Sequence, residues 1–208
     1  MRHAGPTVRS LLRRTNAALG SSLSLTRSQQ ISDEELLVRL QRDDTEALEL
    51  ALRQHWTLVV DYINRLTGSE DAAEDVAQRA FCQLWDRRAQ WRTTGSVRAL
   101  LCRIARNYAV SEHRRQRADE RSAETFAELT RPVPPPRDRI ETEQLRSALD
   151  REIALLPERR REILVLRCVH GLSYKEIADV MNIAQQTVAN QLSSALATLR
   201  VSLRDLLD

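Results

Sequence analysis

The sequence predicts an all-α chain of two small helical domains joined by a Pro-containing linker, and three observations carry that expectation. Apolar residues recur at steps of three and four through two long stretches, without strand-like alternation. Turn and sheet formers are scarce, since the 208 residues hold only 5 Gly, 3 Trp, 3 Tyr and 2 Phe. Between the two stretches stand Pro132, Pro134, Pro135 and Pro136, which forbid a continuing helix and favour an extended path. A chain of this length split in two has small cores, which argues against a large single-core enzyme. No apolar run approaches a membrane span.

Charge divides the chain more sharply than its net value of +3 suggests. Residues 33–86 carry 5 basic and 13 acidic side chains, whereas residues 87–117 carry 9 Arg and a single acid, Glu112. The first stretch repels nucleic acid and the second attracts it. Lys175 is the only Lys, so nearly every cation is a guanidinium, suited to phosphate and stacked contacts. Cys82, Cys102 and Cys168 are widely separated within apolar periodic stretches and read as reduced core thiols. No metal or cofactor is implied.

Residues 1–31 contain Arg2, Arg9, Arg13, Arg14 and Arg27, no acid, and many Ser and Thr. They resemble a transit peptide in composition but lack a signal peptide's apolar region, and read as a disordered basic tail or an upstream start. The first domain, residues 32–117, opens at Ser32, where Ser32 and Glu35 form a capping-box pair ahead of Leu36, Leu37 and Leu40. Breaks near Asp43-Asp44, Gly68-Ser69 and Thr93-Thr94-Gly95 predict about four helices. At about 100° per residue, the last of them places Val97, Leu101, Ile104, Ala105 and Tyr108 on one side and Arg103, Arg106, Arg114 and Arg117 on the other. Such one-sided positive charge suits a nucleic-acid backbone.

Residues 118–140 form the linker, and a second helical domain follows over 141–208, with Pro157 at a first-turn position and Gly171 just past a helix end. Ser173 and Glu176 form a second capping box, opening the short helix YKEIADVM, which stops at Asn182 because Asn tolerates a left-handed turn. The next helix lines up Val188, Leu192, Ala195, Leu196, Leu199 and Leu203 as a stripe to be buried. Ala178, Asn182 and Val188 have the spacing of a helix-turn-helix. An ordinary helical hairpin has a similar turn, but here Gln185, Gln186, Thr187, Asn190, Gln191 and Ser194 avoid the stripe and gather at the start of the second helix. Gln and Asn pair with adenine edges in a major groove. Arg159, Arg160, Arg161, Arg167, Lys175 and Arg200 are candidate phosphate anchors, although the near balance of charge in this domain assigns several of them to ordinary helix-surface ion pairs instead.

The order of motifs is itself informative. EDAAEDVAQRAFCQLWDRR, then VRALLCRIARNYAVSEHRRQR, then LPERRREILVLRCVHGLSYKEIADVMNIAQQTVANQLSSALATLR resemble regions 2 and 4 of the extracytoplasmic-function (ECF) group of bacterial sigma factors, over residues 33–117 and 141–206. The resemblance implies a cytoplasmic, non-catalytic promoter-recognition subunit of RNA polymerase. Asp71, Glu74, Asp75 and Gln78 then match positions that dock on core polymerase. Trp85 also falls on a matching docking position, although core filling suits it better, as it does Trp56, Tyr62 and Phe81. Trp91, Arg98, Arg103, Arg106, Asn107, Arg114 and Arg117 match the part that opens the −10 element and holds its unpaired strand, with Trp91 either stacking on a base or capping the core. Thr93, Thr94, Gly95 and Ser96 take the place of the base-selecting loop. Lys175, Gln185, Gln186, Thr187, Asn190, Gln191 and Ser194 match the −35 reader. The linker would run through the RNA exit channel, and an anti-sigma factor is a possible partner.

Three departures stand out: Arg79 where the family has an acid, Leu100 where it commonly has Trp, and a recognition helix with few cations, which removes phosphate contacts. A free-standing helix-turn-helix repressor is the alternative, and it leaves the acidic helix unused. Against an enzyme acting on nucleic acid stand four scattered histidines, His3, His55, His113 and His170, and isolated glycines.

Overall fold

The computed structural model describes residues 31–92, 95–120 and 149–207. The basic tail, Thr93 and Thr94, most of the Pro-rich linker and the expected start of the second domain at 141 lie outside the described residues. The described helices sort into two compact units, one holding nearly all of α1–α4 and the other α5–α8.

In the first unit, α1 (Asp33–Gln41) starts at Ser32, whose Oγ accepts from the amide of Glu35 at 3.1 Å. A turn through Asp43, at φ 62°, leads to α2 (Thr45–Thr67). Asp44 anchors this turn: its carboxylate accepts from Arg39 Nε at 2.7 Å and from the Glu46 amide at 3.0 Å. The Arg39 bond, first, and the helix amide hold Asp44 below its ordinary pKa. Gly68 takes φ 71° where the chain reverses into α3 (Glu70–Asp86), capped by Ser69 on the Ala72 amide. A 3₁₀ turn (Arg88–Gln90) follows, and the next helix, α4 (Val97–Glu120), continues past residue 117 into the stretch expected to be linker.

Four helices around one core match the expectation. Leu36, Leu37 and Leu40 of α1, Leu48, Leu52, Val59 and Ile63 of α2, Val76 and Leu84 of α3, and Leu101 and Ile104 of α4 are all buried. Trp56 and Phe81 stack across α2 and α3 with centroids 5.9 Å apart. Trp56, Tyr62 and Phe81 fill the core as expected, but Trp85 does not: it is half-buried, with the Arg88 guanidinium 4.4 Å over its ring.

The second unit consists of α5 (149–155 among the described residues), α6 (Glu158–Leu164), α7 (Tyr174–Met181) and α8 (Gln185–Leu207). Pro157 stands at the N-cap of α6, one position before the first turn, and its carbonyl accepts from Arg160 and Arg161 at 2.8 and 3.0 Å. α6 widens into a π-helical turn over Val165–Val169 and ends at Gly171, φ 67°, the position expected for a helix-ending glycine. The extra residue in that turn changes the phase, so Ile163, Leu164, Val165 and Leu166 are all buried while Arg167, Cys168 and Val169 face out. Cys168 is therefore exposed, Cys82 half-buried, and only Cys102 is a core thiol, a correction to the reading of all three as core.

Candidate nucleic-acid interface

The capping box that opens α7 is complete: Ser173 Oγ accepts from the Glu176 amide, and Glu176 Oε2 accepts from the Ser173 amide at 2.7 Å. α7 ends at Asn182 in the left-handed conformation, φ 53° and ψ 54°, and the Ile183 amide returns to the Ala178 carbonyl at 3.1 Å. Ile177, Ala178, Val180 and Met181 of α7 and Val188, Leu192, Ala195 and Leu199 of α8 are all buried, and the two helices pack together. Helix, tight turn and helix thus take the helix-turn-helix arrangement. Leu196 corrects the expected stripe: it is 44% exposed, because it sits one residue, about 100°, beyond the buried Ala195. The Leu203 side chain lies outside the described residues.

The polar start of α8 faces out. Gln185, Gln186, Thr187 and Asn190 are exposed, and Gln191 and Ser194 are half-buried beside them. Gln186 Nε2 donates to Asn190 Oδ1 at 3.0 Å, one turn along the same face. Gln191 Oε1 accepts from Arg160 Nε of α6 at 3.2 Å, a partner that periodicity did not reveal. Arg161 and Arg167 are likewise used within the fold, donating to the carbonyls of Ala154 and Leu172 at 2.7 and 3.0 Å. Lys175, Arg159 and Arg200 remain exposed.

In the first unit, α4 buries Val97, Leu101, Ile104 and Ala105 against α3 and α1, with Tyr108 half-buried. Its other side carries Arg103 and Arg106, both half-buried, Asn107, exposed, and Arg114, exposed. The Arg117 side chain lies outside the described residues. Arg98, near the start of α4, is half-buried and close enough to His55 to disfavour protonation there. Arg98 and Arg106 already interact within the fold. Trp91 is held rather than free: its indole N–H donates to the Leu84 carbonyl at 2.9 Å, and its own carbonyl accepts from Gln41 Nε2 at 2.6 Å.

On α3 the acidic residues form a stripe. Asp71, Asp75, Gln78, Cys82 and Trp85 follow one another at steps of three and four on the side turned from the core, with Glu74 at its edge. Arg79 is exposed beside them. Among the described residues no group of three or more His, Cys, Asp and Glu is placed to hold a metal ion, and no helix is long and apolar enough to cross a membrane.

Comparison with known proteins places these surfaces in a family. The model for sigma-70 region 2 matches residues 51–119, and that for sigma-70 region 4 matches residues 146–199. The chain is 31% identical over 177 residues to the ECF RNA polymerase sigma-E factor of Escherichia coli (strain K12), covering 81% of this chain and 92% of that protein. It is 29% identical over 187 residues to the RNA polymerase sigma-H factor of Pseudomonas aeruginosa, covering 86% and 97%. Its fold matches the sigma factor RpoE of Bartonella quintana, solved in complex with the anti-sigma factor NepR, with a TM-score of 0.62 at 21% identity over 78% of this chain and 98% of that one. It also matches CnrH, solved with the cytosolic domain of CnrY, with a TM-score of 0.61 at 20% identity over 83% and 97%. With both regions present in order, the two polar faces and the acidic stripe each lie on a family segment, and the chain belongs to the ECF sigma factors, the alternative sigma factors that direct transcription by RNA polymerase.

Proposed function

We propose a division of labour among the faces of this alternative sigma factor. The acidic stripe of α3, with Asp71, Glu74, Asp75 and Gln78, grips a basic surface of core polymerase. The Arg face of α4, with Asn107 and with Trp91 ahead of it, holds the melted −10 strand. The start of α8, flanked by Lys175, reads the −35 duplex in a major groove. The protein supplies no catalysis of its own and works in the cytoplasm, and an anti-sigma factor is a natural partner, as in the RpoE–NepR complex. Residues 32–117 and 141–208 act as the two recognition domains.

The observation that carries this reading is the segregation of charge. Acid is concentrated on the exposed side of α3 and guanidinium on the exposed side of α4, on helices that share one core. A free-standing repressor has no use for the first. The test is reconstitution of the full chain with bacterial core RNA polymerase, read by co-elution and by transcription from genomic fragments, with Asp75→Arg alongside. Wild type is expected to bind core and initiate, and the variant to lose core binding while its fold is kept, since Asp75 is exposed. A wild-type chain that ignores core yet binds duplex DNA specifically is a repressor.

A further inference from the structure

The connection from α3 to α4 contains Arg92, Thr93, Thr94, Gly95 and Ser96, with no apolar side chain to bury. Its described ends are tied: the Trp91 indole donates to the Leu84 carbonyl of α3 at 2.9 Å, and the longer-range ties lead to α1 or to the turn that leaves it. Asp43 pairs with Arg88, whose Nη1 also donates to the Trp85 carbonyl at 2.8 Å. Gln41, at the end of α1, donates through Nε2 to the Trp91 carbonyl at 2.6 Å. Asp33, at the start of α1, accepts through Oδ2 from the Val97 amide at 2.9 Å.

The last bond has a particular value. The first amides of a helix lack partners within it, and the N-terminal end of the helix dipole favours an anion. Ser96 satisfies the Ala99 amide locally at 3.2 Å, and Asp33 supplies the acceptor for Val97 from 64 residues away. Asp33 and Gln41 lie at the two ends of one rigid helix, about 12 Å apart at 1.5 Å per residue.

We propose that α1 is the positioning frame of the −10 reader, with Asp33 and Gln41 the residues that set where Trp91 and the first turn of α4 stand. The inference rests on the assignment of α4 to −10 DNA and adds that base preference there depends on two side chains that do not touch DNA. The geometry is a fixed span: α1 sets the distance between the Gln41–Trp91 and Asp33–Val97 ties, so releasing either one loosens the end it holds.

The experiment uses full-length protein assembled with core polymerase, comparing wild type with Asp33→Ala, Asp33→Asn and Gln41→Ala. Holoenzyme is incubated with a library of non-template single strands randomised over the −10 positions, and the bound fraction is sequenced. Core affinity and the thermal midpoint are measured in parallel. Asp33→Ala and Gln41→Ala are expected to bind the wild type's preferred strands about five- to tenfold more weakly and to flatten base preference, as loss of a single positioning bond does. Core affinity should stay within about twofold, the independence expected of distant sites. Asp33→Asn keeps an acceptor oxygen for the Val97 amide and should recover most of the preference. Unchanged preference in both Ala variants overturns the inference, as does a parallel fall in core affinity, thermal midpoint and strand binding, which makes the two residues ordinary fold contacts. A wild-type holoenzyme that shows no base preference overturns the −10 assignment itself, and the inference with it.

Discussion

Arg160 of α6 donates through Nε to Oε1 of Gln191 on α8, the second helix of the helix-turn-helix, at 3.2 Å. Because Arg has only donors, the amide of Gln191 must turn its oxygen inward and its NH₂ outward. In the −35 reading proposed above, Gln191 would then offer its NH₂ to base acceptors such as guanine O6 or N7. If Arg160 were a phosphate anchor, Arg160→Met would weaken binding evenly across sequences and lower the salt slope. As the positioner of Gln191, it should instead relax discrimination at one base pair. Binding selections on −35 duplexes with isolated α5–α8 or with holoenzyme distinguish the two, and relaxed preference at a single position is the expected result.

The Trp56–Phe81 stack ties α2 to α3 at the centre of the first unit, where Phe81 is fully buried. Phe81→Ala removes the ring and leaves a cavity, at a cost of about 3–5 kcal/mol. Phe81→Leu keeps most of the volume and should cost under half of that. Urea unfolding followed by Trp fluorescence checks both. Equal midpoints for the Ala variant and wild type would remove this stack from the core's energetics.

Asn182 sets the turn of the helix-turn-helix at φ 53°. Asn182→Gly should be near neutral, because Gly adopts this conformation without strain. Asn182→Val should destabilise the second unit by about 1–2 kcal/mol, since a β-branched residue resists it. Ser173→Ala, which breaks the capping box next door, should cost about 1 kcal/mol. Thermal unfolding of the three variants gives the ranking, and a Val variant as stable as the Gly variant would show that the turn carries no strain.

Local signals were legible in the sequence and distant ones were not. Ser32, Ser173 and Asn182 act within a few residues of themselves, so capping and turn chemistry located α1 and α7 and the end of α7. The Arg face of α4 and the polar start of α8 followed from periodicity. Cys168 escaped because a π-helical turn shifts the phase on which periodicity depends, and Leu196 because it borders its stripe by a single step. Trp85 was read by its size as core, whereas it rests under Arg88 at the surface. Gln41–Trp91, Asp33–Val97 and Arg160–Gln191 join residues 50, 64 and 31 apart, and no spacing rule in one sequence reaches so far.

His55 offers a pH dependence with a defined sign. It is buried in α2, and its Nε2 has no hydrogen-bond partner among the described residues, although Asp33 Oδ1 stands 3.8 Å away. Burial is the largest influence and lowers its pKa; Asp33 opposes this and Arg98 reinforces it. The unfolded chain therefore takes up the proton more readily than the folded one, so stability is fully present above about 6.5, the ordinary His value, and declines as pH falls below it. Asp44, with its lowered pKa, adds a loss of the same sign only at lower pH, around and below the ordinary carboxylate range. Protonated His55 would also draw on the Asp33 carboxylate that caps α4 at Val97. Thermal midpoints of wild type and His55→Phe at pH 7.5 and 5.5 isolate the histidine: wild type should lose more between the two values than the variant does. Equal losses would assign the pH dependence to other groups, and a smaller loss in wild type would reverse the sign derived from burial.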